Sequence, residues 1–136
     1  MYRFTGEDLE QKLVVEWADW NAHKYPELKW LHHCPNGGKR NAWEAAKFKQ
    51  LGVKPGISDL HLPYPKGKYC GLYIEMKAGN NKLQETQKEF LKDMEKAGHF
   101  VVTCYSSNIA IDILEEYCKL SENEEMSFGN NEVRRS

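Results

Sequence analysis

Apolar residues recur at helical spacing in four stretches of the chain and alternate or run together in several shorter ones between them. Thr5, with Asp8 three residues on, opens the first helical stretch in a pattern close to a capping box. Leu9, Leu13, Trp17 and Trp20 follow at intervals of three and four, which predicts that they face the core; Glu7, Gln11, Val14 and Ala18 form a neighbouring stripe. Tyr25-Pro26 stops the helix, because the residue before a proline avoids helical geometry. Lys29 to His33 fits a short strand, and Pro35-Asn36-Gly37-Gly38 is a turn by composition. A second helix is expected from Asn41 to Leu51, closed by Gly52.

Beyond the Lys54-Pro55-Gly56 turn, Ile57 to Leu62 reads as a strand with Ile57, Asp59 and His61 on one face and Ser58, Leu60 and Leu62 on the other. Pro63 to Gly67 supplies the loop of a wide hairpin. Gly71 to Lys77 is the returning strand, with Tyr73, Glu75 and Lys77 on one face. Asn80-Asn81 breaks the chain. Leu83, Gln87, Phe90, Leu91, Met94 and Ala97 then mark a third helix, ended by Gly98. Phe100 to Tyr105 is apolar enough to be a strand buried on both faces. Ser106 or Ser107 caps a last helix carrying Ile109, Ile113, Leu114 and Tyr117. The strand-helix-strand passage from Gly71 to Tyr105 predicts a right-handed parallel crossover, and the hairpin adds an antiparallel neighbour. The expected fold is α/β, a mixed sheet with helices on both faces, in one domain over residues 1–120. Residues 121–136 are polar and aperiodic and are expected to be a loose tail.

A chain of 136 residues suits a single core, and 40% apolar with 29% charged residues suits a soluble globule. Nothing approaches the roughly 18 apolar residues of a membrane span, and the first residues lack the apolar run of a secretory signal. A cytoplasmic protein is the expectation. Cys34, Cys70, Cys104 and Cys118 form no C-x-x-C pair. His32-His33-Cys34 resembles a ligand cluster, but neighbours on a strand point to opposite faces, so these three are not expected to converge on one metal. The net charge of -1 gives no drive toward nucleic acid. Its distribution does: residues 38–77 hold eight basic side chains against three acidic ones, a net of +5, while residues 115–125 carry five glutamates against one lysine. One basic working face accounts for this polarity, as does a set of solvated surface lysines.

The chemistry gathers at Asp59 and at Glu75-Met76-Lys77. Glu75 and Lys77 are two apart and leave the same face of a strand; a hairpin lets Asp59 project beside Glu75. Two carboxylates are hard oxygen ligands suited to Mg²⁺ or Mn²⁺, which removes their mutual repulsion. A cation there can polarise a phosphodiester and acidify a bound water, and Lys77 can orient that water or offset transition-state charge. Glu7 and Gln11, one helical turn apart, and Gln87 can supply outer contacts. Taken singly, Asp59 can also be a turn residue after Gly56, and Glu75 with Lys77 an exposed pair of little weight.

Gly52-Val53-Lys54-Pro55-Gly56-Ile57-Ser58-Asp59-Leu60, then Gly71 to Lys77, then Gln87 resembles the PD-(D/E)XK nuclease signature and, more narrowly, the virus-type replication-repair nuclease (VRR-NUC) family. That family's opening helix carries a glutamate and, four residues later, a glutamine, as at Glu7 and Gln11; its Pro-Asn-Gly-Gly turn matches Pro35 to Gly38. Its usual Gly-x-Pro-Asp pattern departs here, with Ser58 in place of the proline and Asp59 retained. The resemblance spans roughly Glu7 to Tyr117 and implies a restriction-endonuclease-like fold. It also implies Asp59 and Glu75 as metal ligands, Lys77 as catalytic lysine, and Glu7 and Gln87 as supporting groups. Short stand-alone members of this kind come from phages or mobile elements, dimerise and act on branched DNA such as four-way junctions, so a homodimeric DNA endonuclease using Mg²⁺, with Mn²⁺ substituting and no organic cofactor, is the implied activity.

For DNA contact the residues to consider are Lys39, Arg40, Trp43, Lys47, Lys54 and Lys66, with Tyr64 beside the last. Trp17 and Trp20 belong to the core stripe by periodicity. A non-cleaving binding module is the rival reading, and intact Asp59, Glu75 and Lys77 count against it. A sequence-reading restriction enzyme shares the chemistry, but no recognition insert is visible.

Overall fold

The computed structural model describes residues 3–35 and 41–135. Where the sequence supplies a cap, a helix begins. Asn41 accepts from the Glu44 amide at 2.8 Å and opens α2 (Ala42–Gln50). Ser106 accepts from the Ile109 amide and opens α4 (Ser107–Cys118). Gln84 precedes α3 (Glu85–Lys96), and its amide donates to Gln87 Oε1 at 2.8 Å. Thr5 stands at the N-cap of α1 (Gly6–Asn21) with extended backbone and no capping bond from its side chain. That helix stops at Asn21, four residues short of the Tyr25-Pro26 barrier, and Pro26–Trp30 forms a short 3-10 turn instead.

Five strands pair in chain order: β1 (His32–His33), β2 (Leu60–Leu62), β3 (Leu72–Met76), β4 (Phe100–Cys104) and β5 (Glu132–Arg134). The first three are antiparallel neighbours; β3, β4 and β5 run parallel. One face of the sheet, built from Leu60, Leu62, Leu72, Ile74, Met76, Phe100 and Val102, packs on Val14 and Ala18 of α1 and on Ile109, Ala110, Ile113 and Leu114 of α4. Each fully buried aliphatic side chain here contributes about 1.5–3 kcal/mol. The opposite face lies against α3, where the Phe90 ring meets Tyr73 edge-on at 4.9 Å and Leu91 is buried. The architecture is therefore the expected mixed sheet with helices on both faces.

Two expectations are corrected. The buried stripe of α1 is Val14 and Ala18, not Leu9, Leu13 and Trp20; Trp20 is 78% exposed, and only Trp17 of the expected stripe packs against the core. The small Ala18 allows close approach to the sheet, and this rotation also turns Glu7 toward the site. The tail, too, is part of the sheet. β5 pairs with β4, Asn131 N donates to Val101 O at 2.7 Å, and Met126 is buried with its amide on the Tyr69 hydroxyl at 3.1 Å. Three residues with polar neighbours carry no periodic signal, and their partner lies about thirty positions earlier.

Candidate active site

Asp59 immediately precedes β2, and the register Leu60↔Ile74 carries on to put it beside Glu75. Its Oδ2 accepts from the Met76 amide at 2.7 Å, so the side chain occupies the place of the next ladder bond. The turn before it depends on Gly56, whose φ of +88° and approach to Thr86 exclude a side chain: a Cβ would meet the Thr86 carbonyl oxygen at 2.5 Å. Glu75 and Lys77 stand at the far end of β3, and Nζ of Lys77 lies 3.8 Å from Glu75 Oε2. Gln87 Nε2 donates to the same oxygen at 3.4 Å. Thus a hairpin and the first turn of α3 bring Asp59, Glu75, Lys77 and Gln87 to one end of the sheet.

Glu75 is 2% exposed and its Oε1 has no hydrogen-bond partner among the described residues. Burial first, then the charge of Asp59 and the hydrogen bond shared with it, push its pKa up to about 9; Lys77 pulls the other way and Glu7 adds to the rise. Two facing carboxylates, one with an unpartnered buried oxygen, form a donor set that a hard divalent cation fits. Glu7 reaches this field from α1, with its Oε1 accepting from Asn81 Nδ2 at 2.7 Å. Gln11 follows one turn later on the same helix, half-buried.

The remaining candidates are dispersed. Lys39, Arg40 and most of the Pro-Asn-Gly-Gly turn lie outside the described residues. Trp43 and Lys47 are exposed on α2, with Lys47 Nζ 5.6 Å from the Trp43 ring centre. Lys54 borders a cleft shared with Glu89 and Asp93 of α3. Lys66 sits in the hairpin loop at the opposite end of β2 and β3 from Asp59 and Glu75, paired at 3.2 Å with the buried Glu27. Tyr64 in that loop accepts through its carbonyl from the Tyr117 hydroxyl at 2.7 Å. Two neighbours of the site escaped the sequence reading. Thr103 is buried in register with Glu75, and Asn81 joins Glu7 to the Tyr105 hydroxyl, which donates to its carbonyl. A threonine in an apolar strand was the available signal for the first; the second had none.

A mixed sheet whose central antiparallel pair delivers Asp, Glu and Lys to one end defines a PD-(D/E)XK-type nuclease fold. The family model described as VRR-NUC domain matches residues 5–108. A solved structure described as a VRR_NUC domain protein is similar to this chain at 33% identity, with a TM-score of 0.73, covering 88% of this chain and 93% of that one. The chain belongs to the VRR-NUC family and is a nuclease-type domain. No curated protein matches the sequence. Among the described residues no helix is long and apolar enough to cross a membrane.

Proposed function

We propose that this domain is a Mg²⁺-dependent endodeoxyribonuclease, with Mn²⁺ able to substitute, that hydrolyses phosphodiester bonds in branched DNA such as four-way junctions during replication, repair or recombination. The observation that carries the reading is the buried Glu75, with one oxygen unpartnered among the described residues, beside Asp59 and Lys77. Asp59 and Glu75 would hold the cation, which when bound polarises the phosphodiester and acidifies a water. Gln87 occupies Glu75 Oε2 and leaves Oε1 for that role. Met76 N fixes the Asp59 carboxylate. The Lys77 ammonium, held in the buried site, offsets charge developing at the attacked phosphate. Glu7 deepens the negative potential that attracts the cation.

Trp43 and Lys47 are the described candidates for DNA contact, through base stacking and phosphate charge. The exposed apolar line Leu9, Leu13 and Trp20 supports a homodimer, in which two copies widen the binding surface and make cuts related by two-fold symmetry. The test is a cleavage panel of duplex, single strand, flap and four-way junction at equal concentration with Mg²⁺ or Mn²⁺. Cleavage should be strongest on the junction, be lost in chelator, vanish in Asp59→Ala and Glu75→Ala, and fall by about 100-fold or more in Lys77→Ala. Full activity in either carboxylate variant would remove this site from the reaction.

A further inference from the structure

Beside the carboxylate site the sheet carries a second, chemically different group of donors. A ring nitrogen of His32, a ring nitrogen of His61 and Sγ of Cys34 lie within 4.8 Å of one another. Their convergence follows from register. His32 and Cys34 are two apart and share a face; β1 pairs antiparallel with β2, with His32 opposite His61, so the third donor arrives from the neighbouring strand. His33 points elsewhere, its Nδ1 lying 2.8 Å from the Asp59 carbonyl oxygen. Three consecutive residues do not converge, as expected, but alternate ones do once His61 joins them.

We infer that His32, Cys34 and His61 form a binding site for a borderline transition-metal ion of the Zn²⁺ class, a site that fastens the edge strand β1 to β2. The donor set is the first ground. Two imidazoles and a thiolate select Zn²⁺ over Mg²⁺, whereas Asp59 and Glu75 offer only hard oxygens. Size is the second. Tetrahedral zinc with ordinary bond lengths sets its N and S ligands roughly 3.4–3.6 Å apart. A group spanning at most 4.8 Å reaches that by moving about an ångström, within the range of side-chain rotation.

The rings are also held in place. His32 Nδ1 lies 2.9 Å from the Trp30 carbonyl oxygen, so it donates there and leaves Nε2 with its lone pair free. The His61 ring stacks on Tyr73 with centres 4.1 Å apart and planes inclined by 6°, and Tyr73 is braced by Phe90. On binding, the Cys34 thiol gives its proton to solvent and its sulfur bonds the metal. His32 is exposed, so solvent completes the coordination.

The position explains what such an ion would do. β1 has two residues, too few for pairing alone to hold an edge strand firmly. Yet this segment fixes the backbone of Asp59: the Cys34 amide donates to the Asp59 carbonyl at 2.8 Å, and His33 contacts the same oxygen. An ion joining Cys34 and His32 to His61 closes a clamp around Asp59 from both sides in sequence. The proposal stands apart from the nuclease reading, because the clamp exists whether or not Asp59 holds a catalytic cation.

The experiment is a Co²⁺ titration of the reduced, metal-stripped full chain, followed by displacement with Zn²⁺. The expected result is one equivalent of Co²⁺ giving the intense visible bands of tetrahedral coordination and a thiolate-to-cobalt charge-transfer band, displaced by stoichiometric Zn²⁺ and untouched by Mg²⁺. Cys34→Ser should abolish the charge-transfer band, and His32→Ala and His61→Ala should each weaken binding at least about 10-fold, while Cys70→Ser should change nothing. X-ray absorption of the Zn²⁺-loaded wild-type protein needs no variant and should count one sulfur and two imidazoles per zinc. Absence of tetrahedral bands in the wild type, an unchanged spectrum in Cys34→Ser, or a zinc shell without sulfur would each overturn the site.

Discussion

At the scale of single residues, a carboxyl as enclosed as Glu75 with Asp59 beside it is costly to ionise. Unfolded, Glu75 titrates near 4.5; folded, its value lies up at about 9. Between those values the folded state holds the extra proton, so metal-free stability should fall as pH rises through that window. Thermal unfolding in chelator should show this slope, and Glu75→Gln should flatten it and melt several degrees higher at about pH 8. On the proposed metal role of Glu75, Mg²⁺ displaces the proton, so its affinity should tighten over the same range; an identical slope in Glu75→Gln would assign the effect to another group. Two lysines drawn from one basic stretch separate in the same way. Lys47→Ala should weaken DNA binding and lower the salt slope by about one. Lys66→Ala should leave that slope alone and instead cost roughly 1–3 kcal/mol in denaturant unfolding, because it leaves Glu27 buried without its partner. A changed salt slope in Lys66→Ala would return that loop to the DNA surface.

At the scale of elements, legibility depended on how far the decisive partner lay. A two-residue period is robust, so the shared face of Glu75 and Lys77, and Asp59 opposite, were readable from the hairpin alone. Gln87 was readable as a residue of the helix that follows β3, whose first residue lies nine positions beyond Met76. The face of α1 was not readable: Leu9, Leu13 and Trp20 are the larger hydrophobes, yet Val14 and Ala18 are what fit against the sheet. Nor was β5, whose order comes from pairing with β4 rather than from its own composition. Likewise, His61 met His32 and Cys34 only through a register that no local pattern announces. The tail matters energetically. Deleting residues 121–136 removes the β5 pairing and uncovers the surroundings of Met126 and Phe128, so the shortened chain should lose several degrees in melting temperature and aggregate on heating. An unaltered melting curve would mean that this pairing adds little.

At the scale of the whole molecule, the ends of the sheet carry different groups. One gathers Asp59, Glu75 and Lys77; the other carries the hairpin loop with Lys66 anchored to Glu27. The uncovered line along α1 leads to a test of assembly. Leu13→Lys combined with Trp20→Lys should convert a dimer to a monomer in analytical ultracentrifugation without altering the far-ultraviolet spectrum. If the doubly substituted chain sediments like the wild type, the two copies meet through another surface or not at all.

The hairpin and the turn that follows it also bear on how the domain comes into being. Asp59, Glu75, Lys77 and Gln87 all fall within residues 59–87. Bringing them together closes only short loops, and the entropy surrendered is correspondingly small. The costly long-distance closures are left to α1, which must meet α4 about a hundred residues later, and in smaller measure to β1 and β5, each paired with a strand some thirty residues away. The end that gathers these four side chains is thus the locally encoded part of the chain, and the packing of α1 is the part that waits for distant segments to meet.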